Sequence, residues 1–139
     1  MDGDYDVGLL TPAGMDALLE FLPYFQSKRA RFGKPPTVVD MAASPTILTE
    51  KSNRFYHACY ETRFVQPFDW SAWTSLHERL VFRGEGIEAL SLEELGRLLT
   101  THVRGDRFND GHLLEVMRSG QMGRILARLR QLRAEIPGG

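Results

Sequence analysis

The chain has 139 residues, 42% of them hydrophobic and 25% charged, a balance that excludes wholesale disorder and is enough for a hydrophobic core without a disulfide or metal. Its one cysteine, Cys59, excludes an internal disulfide and fits a reducing compartment. A formal charge of −1 gives no global pull toward nucleic acid or a basic partner.

The opening MDGDYDVGLL places Asp2, Asp4 and Asp6 where a secretory signal would carry positive charge. No stretch approaches the roughly 18 unbroken apolar residues of a membrane span. A cytoplasmic protein with no membrane partner is expected. Thr11-Pro12 starts a helix, because threonine caps free amides and proline has none to leave unpaired. Met15, Leu18, Leu19, Leu22 and Phe25 follow at helical spacing, with a kink or restart at Pro23. Gly33, Pro35 and Pro36 end this region, and Val38-Val39 suits one short extended piece. Ser44-Pro45 repeats the start signal for a helix running to about Arg63. Asp69 is the expected N-cap of a third helix from Trp70 to Val81, and Arg83–Leu90 reads as a connection.

The clearest local signal is Ser91-Leu92-Glu93-Glu94, a capping box in which the serine hydroxyl and the glutamate carboxylate each satisfy a backbone amide. The helix behind it presents Leu92, Leu95, Leu98, Leu99 and Val103. A turn at Gly105 precedes a helix over about 109–118. A last helix puts Met122, Ile125, Leu126, Leu129 and Leu132 on one stripe. The sum is an all-α fold: a compact bundle of about six helices with at most a trace of strand, one helical domain over 1–139, with 1–10 and 135–139 as flexible ends.

Chemistry concentrates in TTHVRGDRFNDGH, Thr100 to His112. Two guanidiniums beside a carboxylate suit an anionic ligand, so Arg104, Asp106, Arg107 and His112 are the candidate ligand-binding residues, with Asp110 and His112 available for acid–base work. The structural alternative, which we favour, pairs both arginines with Asp106 and with open helix carbonyls and plugs Phe108 into the core. Trp70 and Trp73, in an F-D-W-x-x-W group, share a helix face and are expected to anchor the core. His57, His77, His102 and His112 show no metal-ligand spacing, and Cys59 is expected to be an inert buried thiol. G-x-S-x-G, P-loop and G-x-G-x-x-G patterns are all absent, so no catalytic residue, metal or cofactor is assigned. Residues 104–139 hold seven arginines against four acids, a pattern more typical of the solvated side of a helix than of a phosphate-contacting face.

The segment Leu98–Leu132 resembles the C-terminal signature of a bacterial domain-of-unknown-function family: Arg-x-(Asp or Glu)-Arg-Phe-x-x-Gly, a short helix, Ser-Gly, and a helix ending in Leu-x-x-Leu. Arg104, Asp106, Arg107, Phe108, Gly111, Ser119, Gly120, Leu126 and Leu129 fill it. LPYF at Leu22–Phe25 and the Phe68–Trp73 group are similar to further features of that family. The Trp- and Gly-containing extended segment that the resemblance implies between the first helices is missing from Gly33–Ser44. The resemblance implies a domain and no activity. The expected function is therefore a non-enzymatic helical domain acting through protein contacts, with itself as a homodimer or with another protein. A small-anion binder or enzyme using the 104–112 cluster is the first alternative, and a nucleic-acid accessory using the C-terminal arginines the second.

Overall fold

The computed structural model describes residues 4–39 and 41–137. The chain is mostly helical, 59% of it, with 8% in two small antiparallel sheets. It is thus not purely all-α, and among the described residues eight α-helices replace the expected six. Two of them, α1 (Pro12–Leu19) and α2 (Leu22–Gln26), come from the restart at Pro23. Two more, α4 (Trp70–Leu76) and α5 (Glu78–Arg83), come from a break at His77, whose backbone leaves the helical region at φ −133°, ψ 38°. The Nδ1–H of His77 donates to the Trp73 carbonyl (2.8 Å), satisfying an acceptor that the broken helix would leave open.

The strands lie where prolines and β-branched residues crowd together. β1 (Gly33–Lys34) pairs with β4 (Ile47–Leu48), and β2 (Thr37–Val39) pairs with β3 (Ala42–Ser44). Ser44-Pro45 therefore starts no helix. Thr49 does: its hydroxyl accepts from the Ser52 amide (3.2 Å), its own amide donates to the Phe32 carbonyl (3.0 Å), and α3 runs Glu50–Glu61.

α6 (Leu92–Gly105), α7 (His112–Arg118) and α8 (Gln121–Ala134) form the C-terminal part. The capping box forms as expected: the Glu94 amide donates to Ser91 Oγ (3.2 Å), and the Ser91 amide donates to Glu94 Oε1 (2.9 Å). α8 packs on α1, α2, α6 and α7, and Leu98, Leu99, Leu113, Met117, Ile125 and Leu126 join Leu18, Phe25 and Phe55 in one buried cluster. Cys59 is sealed in that cluster, where burial pushes its thiol far above the ordinary range and makes it inert. Of the ends expected to be flexible, residues 1–3 and 138–139 lie outside the described residues. Tyr5 is buried and donates its hydroxyl hydrogen to the Phe64 carbonyl (2.7 Å), over Gly96, where any β-carbon would collide with the tyrosine ring. Among the described residues no helix is long and apolar enough to cross a membrane.

Candidate functional site

The corner between α6 and α7 is built by carboxylates, though not in the expected way. Asp106 Oδ1 accepts the Leu113 amide (3.0 Å) at the start of α7, where free amides and the helix dipole favour a negative charge. Asp110 Oδ2 accepts the Thr46 amide (2.9 Å) and ties the corner to the segment before β4. Gly111 stands at φ +95°, with Pro36 and Thr46 within 3.2 Å of the place a β-carbon would take, so this turn requires glycine. Asp106 is thus engaged by backbone. Neither Arg104 nor Arg107 forms an ion pair with it or with any other described carboxylate. The phenol of Tyr60 is pushed up by burial and by its hydrogen bond to Tyr56, while the positive charges of Arg104 and Arg107 pull it down.

The two histidines, ten residues apart, meet across the corner. His102 Nδ1 lies 2.9 Å from His112 Nε2. His102 is fully buried, and burial, with the nearby His112 charge second, pushes it down to about 3. His112 is also pushed down by burial, against an opposing pull from Asp106. Both rings are therefore neutral at pH 7, and one must donate to the other. His102 Nε2 is buried with no partner among the described residues. A buried lone pair without a donor is better tolerated than a buried N–H without an acceptor. This places the proton on His102 Nδ1, donating to His112 Nε2, and leaves His112 its own proton on Nδ1. Neither ring of this pair then presents an exposed lone pair to act as a base.

Phe108, expected to be the buried pin of the corner, is 78% exposed. Val103 and Leu113, on either side of the turn, are the residues buried in the core instead. Its ring rests 5.7 Å from that of Trp70. Together with Phe82, Thr101, Gly105 and His112 these rings line an open cleft of about 180 Å³. Of the two tryptophans expected to anchor the core, Trp73 packs against it from the side and Trp70 does not reach it. Trp70 is half-buried in this cleft wall, and Trp73 is half-buried against Phe68 and stacked on His77 at 4.3 Å. Helix α4 has no buried residue because it lies on the surface of α6. Phe82 was not singled out in the sequence. It follows the buried Leu80 and Val81, and the further turn of about 100° along α5 carries it off the buried stripe to 63% exposure.

Three of the seven C-terminal arginines are occupied within the chain. Arg124 makes a bidentate pair with Glu88 (2.7 and 2.8 Å) and donates to the Gly84 carbonyl, Arg128 donates to the Leu90 carbonyl (2.9 Å), and Arg133 pairs with Asp16 (3.0 Å). Among the described residues no three His, Cys, Asp or Glu side chains converge as metal ligands would.

The chain matches a family of unknown function (DUF6508) over residues 10–135 and belongs to it. No curated protein and no solved structure matches the chain.

Proposed function

We propose that this member of a family of unknown function is a non-enzymatic domain that acts through protein contacts, and that its partner is a second copy of itself. The observation that carries the reading is apolar surface which the chain's own core leaves uncovered. The β2–β3 hairpin is exposed at all six paired residues, with Val38 74% and Met41 98% accessible. An isolated two-stranded hairpin is marginal in water unless something packs on it. Met41 sits at φ +65°, where a glycine or asparagine fits more easily. Neither local conformation nor internal packing calls for a methionine there, which leaves what it presents outward.

The aromatic cleft is the complementary half. At about 180 Å³ it falls below the roughly 300 Å³ at which small-molecule pockets begin. A cavity of roughly 150 Å³ accepts a benzene ring, so the cleft suits one large apolar side chain, the kind of anchor that dominates protein interfaces. Asp110 lies beside the hairpin, and Asn109 lines the cleft, so hairpin and cleft adjoin through the corner. A two-fold contact would let each copy's hairpin cover the other's cleft. The same reading takes Arg104–Gly111 as the family's signature and the protein as bacterial, on the resemblance, and as cytoplasmic, on the single cysteine that suits a reducing compartment.

Sedimentation velocity over a dilution series tests it. A dimer is expected in the micromolar range, and Val39→Lys and Phe108→Ser are each expected to give a monomer with unchanged helical circular dichroism. A parent chain that stays monomeric at every concentration overturns the reading. The ligand reading of Arg104, Asp106, Arg107 and His112 keeps one point in its favour: the two arginines lack ion pairs, and Arg104 Nε is buried without a partner among the described residues. Asp106 and His112, however, are occupied by the Leu113 amide and by His102. Phosphate binding lost in Arg107→Gln would restore it.

A further inference from the structure

We propose that a second cleft, at the turn between α7 and α8 and sharing no lining residue with the aromatic one, binds a phosphate-bearing small ligand of nucleotide size. The segment Ser27–Pro35 contains Lys28, Arg29, Arg31 and Lys34 and no acid. It faces the turn between α7 and α8 across an open cleft of about 500 Å³. Lys28, Arg31 and Lys34 line one wall and Arg118 the other, and no carboxylate lines the cleft among the described residues. None of the four makes an ion pair with a described carboxylate. Four like charges around one hollow repel one another and raise the local concentration of anions. The volume lies inside the range of small-ligand sites.

Two features separate this arrangement from a solvated basic loop. The first is that the loop backbone is fixed. The Tyr24 hydroxyl donates to the Arg31 carbonyl, and the Thr49 amide donates to the Phe32 carbonyl (3.0 Å). Gly33 lies so close to the Ile47 carbonyl and Leu48 that no side chain fits there. The phenyl ring of Phe32 is buried beneath the loop and packs on Phe25 at 5.4 Å between ring centroids. The cations are therefore carried on an anchored frame, which lowers the ordering cost of binding.

The second is the opposite wall, which ends in the N-terminus of α8. Ser119 and Gly120 line the cleft, and Gly120, at φ +89°, caps the helix without a side chain. Its first turn holds no acid. The Gln121 amide donates to Ser119 Oγ (3.4 Å), and with no carboxylate cap on its opening amides this fourteen-residue helix directs partial positive charge toward the same hollow. Side-chain cations and helix terminus thus converge on one volume from different elements, and a ligand with more than one phosphate satisfies both.

The test is calorimetric titration of the full chain with ATP, ADP, pyrophosphate and adenosine, each as a separate probe. ATP and ADP are expected to bind, pyrophosphate more weakly, and adenosine not at all. Arg31→Gln combined with Arg118→Gln is expected to weaken ADP binding at least tenfold, while Arg130→Gln, exposed on the far part of α8, leaves it unchanged. The urea midpoint of each variant shows that folding is retained. If the double variant fails to fold, Lys34→Gln alone is expected to weaken binding severalfold. Adenosine binding as well as ADP, or no binding by any probe, overturns the proposal. So does a single-stranded oligonucleotide that binds far more tightly than ADP with a steep salt dependence, which would make the cleft a nucleic-acid surface. Failure here leaves the self-association reading untouched, because Val38, Met41, Phe82 and Phe108 lie outside this cleft.

Discussion

In α6, α7 and α8 every leucine, isoleucine, valine and methionine is buried or half-buried, whereas Val38, Val39, Met41 and Ile47 of the extended segment are all exposed. The two regions are built from residues of similar hydrophobicity, so composition does not separate them. Period does: a helix repeats every 3.6 residues and turns one stripe inward. A short two-stranded ribbon shows both faces to solvent unless another layer covers it, and among the described residues no element does, so all six paired positions are exposed. The helical region therefore stabilises the domain, and the ribbon contributes surface. This contrast predicts a wide spread of mutational effects along one short chain.

The largest effect is expected inside the helical region. Leu98 is fully buried on α6 beneath α8. Leu98→Ala is expected to lower the unfolding free energy by about 2–5 kcal/mol, transfer and cavity terms together. Urea denaturation followed by circular dichroism reads it directly. A loss below about 1 kcal/mol would mean that the neighbours collapse into the space, and that the contrast between the regions is overstated.

The intermediate effect is a pH dependence, also rooted in α6. Folded His102 is held near 3, against about 6.5 for an ordinary histidine. Between those values the unfolded chain binds a proton that the folded chain refuses, so stability is complete above pH 6.5 and declines as pH falls. At pH 5 the expected loss is about 2 kcal/mol, from roughly 1.5 pH units at 1.36 kcal/mol each. His112, shifted in the same direction, adds to it. His102→Gln should flatten the difference between urea midpoints at pH 7 and pH 5. An unchanged difference in the variant would show that His102 is protonated in the folded chain and that the His102–His112 hydrogen bond is not neutral.

Features whose cause lies within four residues were legible in the sequence: the Ser91–Glu94 capping box, the Thr11-Pro12 start and the α8 stripe all stand as read. What was missed depends on contacts between distant segments. Ser44-Pro45 carries a valid helix-start signal, but pairing with Thr37–Val39 claims Ser44 as strand, and Thr49 caps the helix instead. Asp106 was assigned to the nearest cations, yet the Leu113 amide, seven residues on, takes its oxygen. The His102–His112 contact joins two helices across a turn whose geometry no spacing rule supplies. The basic cleft is half legible: the run from Lys28 to Lys34 stands in the sequence, but only the tertiary fold brings Arg118 and the start of α8 opposite it.

The smallest effect is expected at the ribbon, and it discriminates between its two roles. Met41 is 98% exposed and Val38 74%, so neither side chain has much internal packing to lose. Met41→Ser and Val38→Thr should each change the unfolding free energy of the dilute, monomeric chain by less than about 0.5 kcal/mol, the range for surface substitutions away from special features. At protein concentrations where the parent self-associates, the same substitutions should lower the thermal midpoint relative to the parent, because stabilisation by a partner follows mass action and vanishes with it. The diagnostic is thus a dependence on concentration that the parent shows and the variants lose. Were either substitution to cost a kilocalorie or more in the dilute chain, the ribbon would have to pack against its own domain, and the division between stabilising helices and presented surface would not hold.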